Sequence, residues 1–489
     1  MFFFISDTLC KGMLKGNQGG FVLKALLSAA VLVTGLSAFA LPQGTLDNQV
    51  QTMIETSLPH LACNMNIGTP GSIIASPEHA DPDYYFHWVR DSALVTDALV
   101  RLLPYVEGTE SARRLHTFIA DFAAFSARLQ DSPTPYGLGE VRFNPDGSID
   151  SSPWPRPQYD GPALRALALM HYARAYKTTL TPELQQLLLR VIERDLNAVE
   201  QYYNTAGYDL WEYSIGFHFF TRMVQASALH EGNQFFGERA GWRAAENELY
   251  QQLEHHWNTS WEVIAFNDGP AQDYMGNTIP TDPLRYDTSV ALAVNHGQLE
   301  EPHFTLMDER VWATLTRLED YFLTAFPVNA GKKIGPAMGR HKGDNYYGGN
   351  SFYFLTSAYS ELSFRIASQV AGTAGSLIAS PLRVETLSRV LDTEVAPNTA
   401  FKLPNQELAE AFAREGDAFL KTMLDGVPAD GTMAEQQSKM DGSPASAHNL
   451  SWSYASVLTA ILQREQWHRS TVDFKKLDFT CPTTKLVIR

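Results

Sequence analysis

The sequence contains little cysteine and none of the common short motifs for metal or nucleotide binding. Only three of its 489 residues are Cys, which is too few to build a soft-metal site. No CxxC, HExxH, GxGxxG or GxxxxGK[ST] pattern occurs in the chain, so zinc, dinucleotide and nucleoside triphosphate chemistry lack support. The sequence therefore predicts neither a metal site nor a cofactor.

Basic residues are also in deficit, with 38 Lys and Arg against 54 Asp and Glu and a formal net charge of −16. Nucleic acids and anionic membrane surfaces bind proteins through basic patches, so we expect neither of them as a partner. A neutral substrate is not repelled by this charge. The hydrophobic content of 44% and the aromatic content of 11% are typical of a large globular core.

The apolar run near the N-terminus is too short for an ordinary membrane span of ~20 residues. It covers residues 25–33, follows Lys24 and precedes the small-x-small site Ala38-Phe39-Ala40. This layout predicts a secretory signal peptide over residues 1–40, with Met13 as an alternative start, and a protein exported to the periplasm or the medium. A retained membrane anchor is the less favoured alternative, and we expect no membrane attachment after cleavage.

Two cysteines remain once the signal peptide is removed. Cys10 lies within the predicted signal peptide, which leaves Cys63 and Cys481. Thiols left over in an oxidising compartment often pair. We therefore expect a disulfide that ties the first helix to the C-terminal tail, with Cα atoms within about 7 Å of each other.

Apolar residues recur at helical spacing along most of the chain, whereas strand-like alternation is short, as at residues 261–266. The predicted helices cover residues 46–63, 91–106, 111–129, 161–177, 182–204, 216–231, 235–257, 287–296, 308–326, 351–370, 404–424 and 450–464. The pattern predicts an all-α protein.

Long loops rich in Trp, Tyr, Pro and Gly separate the predicted helix pairs. They cover residues 68–90, 132–160, 267–286, 328–350 and 425–449. Long loops in a compact domain are usually functional. A repeat of helix, short turn, helix and long loop indicates a closed barrel of paired helices with the loops gathered around a pocket at one end. We find no linker rich in Ser, Thr or Pro, so residues 41–489 are predicted to form one domain, which we expect to be a monomer.

Two carboxylates lie three residues apart in the aromatic stretch 207–231. They are Asp209 and Glu212, and Trp211 and Tyr213 are among their neighbours. Aromatic rings dehydrate a carboxyl group and favour its protonated form, which is the form that a general acid needs. The same residues could instead be buried carboxylates that accept backbone hydrogen bonds, since structural networks also perturb such groups.

Five blocks of the sequence resemble, in order, the signatures of the glucoamylase family, glycoside hydrolase family 15. The first is DPDYYFHWVRDS at residues 81–92, and the second is YGLGE at 136–140 with WPRPQYDGPALR at 154–165. The third is YDLWE at 208–212 followed by FFT at 219–221. The fourth runs from GRHKGD at 339–344 to GN at 349–350, and the fifth is GTMAEQ at 431–436 with LSWSY at 450–454.

The resemblance implies an (α/α)6 barrel that removes glucose, with inversion, from the non-reducing ends of α-1,4-glucans such as starch, glycogen and malto-oligosaccharides. It makes Glu212 the general acid and Glu435 the general base that activates water. Inversion requires two carboxyl groups about 6.5–9.5 Å apart with a water between one of them and the sugar, and these two glutamates belong to different loops. Asp209 is the rival base, to which we assign a supporting catalytic role. No separate starch-binding domain is expected.

The resemblance also implies which residues bind the sugar. Arg90 and Asp91 would hold hydroxyl groups of the terminal glucose, since an Arg fork and a carboxylate fix hydroxyl geometry. Arg340 would assist them from a second loop. The aromatic walls of the site would be Tyr84, Trp88, Trp154 and Trp211. Tyr346 and Trp452 could line the site as well or belong to the core.

Two positions depart from the pattern of the fungal members. Tyr213 stands where those members commonly have Glu on the leaving-group side of the sugar, and Phe352 stands where many have Trp. Tyr213 therefore leaves open an enzyme of the same fold for another α-glucosidic linkage, as in α-1,6-glucan or trehalose. A phosphorolytic enzyme is disfavoured because Glu435 is present. A catalytically silent glycan-binding module is disfavoured because both glutamates are present.

Overall fold

The computed structural model describes residues 43–273, 275–279, 287–300, 302–469 and 472–482. The predicted signal peptide, with its alternative start at Met13, lies outside the described residues. The described residues group into one compact unit. Within the described ranges, no helix combines the length and the apolar character that a membrane span requires.

Fourteen α-helices occur in the described residues. They are α1 Gln43–Thr52, α2 Leu58–Ala62, α3 Val89–Val106, α4 Glu110–Gln130, α5 Asp160–Ala175, α6 Pro182–Tyr202, α7 Phe219–Phe236, α8 Ala240–Glu254, α9 Ser289–Gly297, α10 Glu309–Ala325, α11 Tyr353–Gly372, α12 Val384–Leu391, α13 Gln406–Leu424 and α14 Ser451–His468. A π-helical turn, Met53–Ser57, joins α1 to α2.

Six of these helices form a closed inner ring. In chain order α3 packs on α5, α5 on α7, α7 on α9, α9 on α11 and α11 on α14, and α14 returns to pack on α3. Because inner helices have neighbours on every side, they are buried nearly all round. In α5 even Ala163, Ala166 and Ala168, which point in different directions, are fully buried.

An outer helix packs on each member of the inner ring. The pairs are α3 with α4, α5 with α6, α7 with α8, α9 with α10, α11 with α13 and α14 with α2. Outer helices bury one face only, as α6 does through Leu188, Val191, Ile192 and Leu196 at helical spacing. Six inner and six outer helices confirm the predicted (α/α)6 barrel.

Short antiparallel strand pairs shape the loops. They are β1 His87–Trp88 with β2 Arg142–Phe143, β3 Gly207–Tyr208 with β4 Ile215–Gly216, β5 Trp257–Asn258 with β6 Val263–Ile264, and β8 Gly375–Ile378 with β9 Ala400–Leu403. A fifth sheet has the order β11–β10–β7, formed by Pro444–Ala445, Gln436–Gln437 and Ser351–Phe352. Most of these pairs lie in the loops that precede inner helices, so they set the positions of side chains at one end of the barrel.

Every predicted helix is present, and most boundaries agree within three residues. The helix predicted over residues 235–257 begins only at Ala240, because α7 continues to Phe236 and Gly237 ends it with a left-handed φ of 88°. Helix α12 and the β8–β9 hairpin around it were not predicted. Eight residues give too short a periodic pattern to distinguish α12 from a loop.

The predicted disulfide is confirmed. Cys63 follows α2, and Cys481 belongs to the tail after α14, with the two Cα atoms 4.6 Å apart. The bond joins residues 418 positions apart in the sequence. It therefore links the two ends of the described chain across the outer face of the barrel.

Candidate active site

A cavity of about 750 Å³ opens at the end of the barrel where the inner helices begin. Every site residue predicted from the sequence lines it, except Asp209. These residues are Tyr84, Trp88, Arg90, Asp91, Trp154, Trp211, Glu212, Tyr213, Arg340, Tyr346 and Glu435. The loops at residues 68–90, 132–160, 328–350 and 425–449 all contribute. The predicted loop 267–286 differs, because none of its described residues lines the cavity.

Glu212 lies in the tight turn between β3 and β4, with a left-handed φ of 61°. Its Oε1 atom accepts hydrogen bonds from Trp88 Nε1 at 2.8 Å and from Gln158 Nε2 at 3.0 Å. Arg90 Nη2 lies 3.7 Å from the same oxygen. These contacts fix the orientation of the carboxyl group towards the cavity.

Glu435 reaches the cavity from the loop before β10 and is 7% exposed. Its Oε2 accepts a hydrogen bond from Ser446 Oγ, and Tyr84 OH donates to Oε1 at 3.5 Å. Burial raises the pKa of Glu435 to about 7, although the Ser446 hydrogen bond and the charge of Arg340 act in the opposite direction. A carboxylate with a raised pKa is a stronger base towards water.

Asp209 lies behind the cavity wall and is fully buried. Its Oδ1 accepts the backbone N–H groups of Tyr213 at 2.8 Å and Ser214 at 2.9 Å. Burial raises its pKa to about 7, and the two backbone hydrogen bonds oppose that rise. These contacts hold together the turn that carries Glu212.

Arg90 and Asp91 lie in the first turn of α3 at the floor of the cavity. Arg90 is 5% exposed and pairs with Asp160 at 3.1 Å, with Asp91 at 3.5 Å and with Glu212 at 3.7 Å. Burial raises the pKa of Asp91 to about 6, although the charge of Arg90 lowers it. Asp91 Oδ2 is buried beside Arg90 Nε and accepts no hydrogen bond within the described part of the chain.

Arg340 extends into the cavity from the loop before β7. Its guanidinium group donates two hydrogen bonds to the Asp344 carboxylate, from Nε at 2.9 Å and from Nη2 at 2.6 Å. The guanidinium carbon lies 4.6 Å from the centre of the Tyr346 ring. The Tyr346 hydroxyl is 2.5 Å from that of Tyr84, so the ring system joins two loops across the cavity.

Aromatic rings form the rest of the wall. Trp211 Nε1 donates to Asp287 at 3.0 Å, and the Trp452 and Phe354 rings stack with centroids 4.2 Å apart. Tyr213 is 40% exposed at the rim, and its ring stacks on His341 at 5.8 Å. Charged groups therefore lie at the floor of the cavity and an exposed ring at its rim.

The sequence did not identify several residues that the structure places in the site. Gln158, which contacts both Arg90 and Glu212, lies within the second block and could have been singled out there. Ser446 reaches Glu435 only because the β10–β11 hairpin turns the chain back. Phe354 and His341 also line the cavity, and neither residue type by itself indicates a sugar site.

This arrangement suits a neutral polyol substrate. Two carboxyl groups on separate loops, an Arg–Asp pair for hydroxyl groups and aromatic faces for sugar rings supply what glycosidic bond cleavage needs. No cluster of three or more His, Cys, Asp or Glu side chains in the described residues has the geometry of a metal site. A helical barrel with such a cavity is the structure of a glycoside hydrolase.

The chain belongs to the glycosyl hydrolases of family 15, whose family model matches residues 53–462. It is 31% identical over 468 residues to glucoamylase-1 of Schizophyllum commune, which covers 90% of this chain and 78% of that protein. It resembles the solved family 15 glucoamylase of Hypocrea jecorina with a TM-score of 0.77 and 28% identity, over 86% of this chain and 72% of that one. The Hormoconis resinae glucoamylase structure gives a TM-score of 0.77 and 26% identity, over 90% and 76% of the two chains. The predicted enzyme class, glucan 1,4-α-glucosidase, is confirmed.

Proposed function

We propose that this enzyme removes β-D-glucose from the non-reducing ends of α-1,4-glucans, with inversion at the anomeric carbon. The observation that carries the proposal is that Glu212 and Glu435 reach one cavity from separate loops. In an inverting hydrolase the acid and the base act from opposite faces of the sugar, with a water beside the base. Two carboxyl groups that line a shared cavity from different loops support such an arrangement.

Glu212 is the general acid in this proposal. It protonates the glycosidic oxygen as the bond to the anomeric carbon breaks, and the neighbouring Arg90 stabilises the carboxylate that remains. Glu435 takes a proton from the water that attacks the opposite face. Ser446 and Tyr84 hold the Glu435 carboxyl group in place.

Arg90, Asp91 and Arg340 bind hydroxyl groups of the terminal glucose in this proposal. Because these charged groups close the floor of the cavity, a glucan chain enters by its end, which supports exo action. Trp88, Trp154, Trp211 and Tyr346 supply the walls. The named relatives are glucoamylases, which supports an α-glucan or malto-oligosaccharide as substrate.

The first product anomer tests the mechanism. We expect proton NMR of a fresh maltotriose digest to show β-glucose first, with α-glucose rising later through mutarotation. A retaining enzyme would release α-glucose first, and that result would contradict the proposal. The control is a solution of α-glucose alone, followed by the same method at the same pH and temperature, which gives the rate of mutarotation.

We also propose that the enzyme acts outside the cytoplasm as a monomer. The predicted signal peptide supports export, and so does the Cys63–Cys481 disulfide, because such bonds persist in oxidising compartments. N-terminal sequencing of protein recovered from outside the cells is expected to begin after Ala40.

A broader linkage range is the second candidate function, and the exposed Tyr213 favours it. A Glu at this position accepts a hydrogen bond from one hydroxyl of the second sugar, whereas the Tyr ring stacks on sugars with less regard to linkage. The hydrogen bond that a Glu at this position would accept contributes about 1.5–3 kcal/mol, because one partner is charged. The Tyr gives up this preference for one hydroxyl geometry.

We expect Tyr213→Glu to widen the gap in kcat/KM between maltose and isomaltose. Steady-state kinetics on both disaccharides, for the wild type and the variant, give the ratio. Tyr213→Phe is the matched control, because it keeps the ring and should leave the ratio nearly constant. An unchanged ratio in Tyr213→Glu would show that this residue does not set linkage preference.

A further inference from the structure

Arg142 lies outside the cavity, directly behind its aromatic wall. It is 3% exposed and belongs to β2, where it pairs in register with Trp88 of β1. Its guanidinium carbon is 3.6 Å from the ring centre of Trp154, 4.0 Å from that of Phe86 and 4.8 Å from that of Trp88. A desolvated guanidinium among three ring faces is a strong cation–π arrangement.

An ion-pair network fixes the position of this guanidinium. Arg142 Nε donates to Asp150 at 2.7 Å, and Nη2 donates to Ser152 Oγ at 2.9 Å. Arg156 shares the same Asp150 oxygen at 3.0 Å and also pairs with Glu140. Because each partner belongs to the loop before α5, the network connects β2 to the segment that carries Trp154.

Arg142 is connected to the proposed acid through a single side chain. The Trp88 ring lies on Arg142 and donates from Nε1 to Glu212 at 2.8 Å. Trp88 and Trp154 also meet edge to face, with centroids 5.7 Å apart. A shift of the guanidinium would therefore move two walls of the cavity and the indole N–H that orients Glu212.

We propose that Arg142 is a positioning residue for the acid step. It holds the Trp88 and Trp154 rings in place, and its fixed charge stabilises the carboxylate that Glu212 becomes after it has donated its proton. The inference rests on the proposed role of Glu212. Arg142 would support the acid step although it touches neither the substrate nor the reacting atoms.

The test compares pH profiles of kcat/KM for the wild type, Arg142→Gln and Arg142→Lys on maltose. Without the cation, the carboxylate that Glu212 becomes is less well stabilised, so transfer of the proton to the glycosidic oxygen is slower. We expect Arg142→Gln to lose about tenfold or more in kcat/KM and to move the alkaline limb upward by roughly half a pH unit or more. Arg142→Lys keeps the charge but not the planar stack, so we expect reduced activity with the alkaline limb unmoved.

Arg156→Gln is the matched control. It removes a cation from the same Asp150 but has no ring contact with Trp88 or Trp154, so its alkaline limb should stay at the wild-type pH. Equal displacement in both Gln variants would overturn the proposal, because loosening of the loop would explain both. The proposal would also be overturned if Arg142→Gln lowered kcat/KM at every pH but left the alkaline limb at the wild-type position. If Arg142→Gln does not fold, as a thermal melt would show, an alkaline limb displaced in Arg142→Lys contradicts the role of the charge.

Glu212→Gln separates this proposal from the proposed function. If Glu212→Gln keeps wild-type activity, the acid assignment fails, whatever the Arg142 variants do. If Glu212→Gln is inactive, the Arg142 results bear on Arg142 alone.

Discussion

Glu435→Gln is expected to lower kcat/KM on maltose by about 10²–10⁴-fold, the usual contribution of a general base. The amide has the shape of the carboxylate and can keep the Ser446 hydrogen bond, but it cannot take a proton from water. The fold should persist, as a thermal melt at the same pH would show. Glu212→Gln is expected to cause a loss of the same order, because it removes the proton donor.

A second substrate distinguishes the two glutamates. Fluoride leaves α-glucosyl fluoride without help from a general acid, so Glu212→Gln should recover much of its activity on this substrate. Glu435→Gln should not recover, because the water still needs a base. Asp209→Asn serves as the comparison, since the amide oxygen can still accept the N–H groups of Tyr213 and Ser214. Full loss in Asp209→Asn together with activity in Glu435→Gln would reverse the assignment of the base.

Arg90→Met is expected to lower the free energy of unfolding by about 3–5 kcal/mol, the cost of removing one partner from a buried ion pair. Arg90 faces Asp160, Asp91 and Glu212, and its loss leaves three carboxyl groups without this cation. Activity should fall as well, because Glu212 and Asp91 lose their support. Urea denaturation at pH 7 measures the stability.

Arg113→Met is the control for this change. Arg113 is 71% exposed and pairs with Glu110 at the surface, where ion pairs contribute little. We expect its denaturation midpoint to match that of the wild type. A similar loss in both variants would show that removal of any arginine is costly in this protein. In that case the loss of stability in Arg90→Met could not be attributed to the buried ion-pair network.

Periodicity predicted the barrel well because inner and outer helices both carry clear apolar patterns. Helix α6 shows one apolar face and α5 shows apolar residues all round, and both patterns are visible in the sequence. Helix α12 was missed because its pattern is only eight residues long. The sequence separated α7 from α8 but placed the boundary about five residues too early, because apolar spacing alone does not show that Gly237 ends α7.

The candidate site was predictable where its residues lie in contiguous blocks. Arg90, Asp91 and Trp211 could be named from the resemblance, and all of them line the cavity. Contacts between loops could not be predicted in this way. Arg142 reaches the glutamate region only through the register of the long-range β1–β2 pair, and Ser446 only through that of the β10–β11 hairpin. A one-residue shift in either register would turn the side chain away.

The Cys63–Cys481 disulfide, together with the packing of α14 on α3, makes the described polypeptide a covalent loop around a ring that has no open edge. A protease that cuts one peptide bond between the two cysteines opens this loop but releases no fragment, because the disulfide still joins the two pieces. The chain could therefore begin at another position without a change in the arrangement of the helices. New ends opened in an exposed loop away from the cavity, with the native ends still bridged by the disulfide, would leave every wall of the cavity in place.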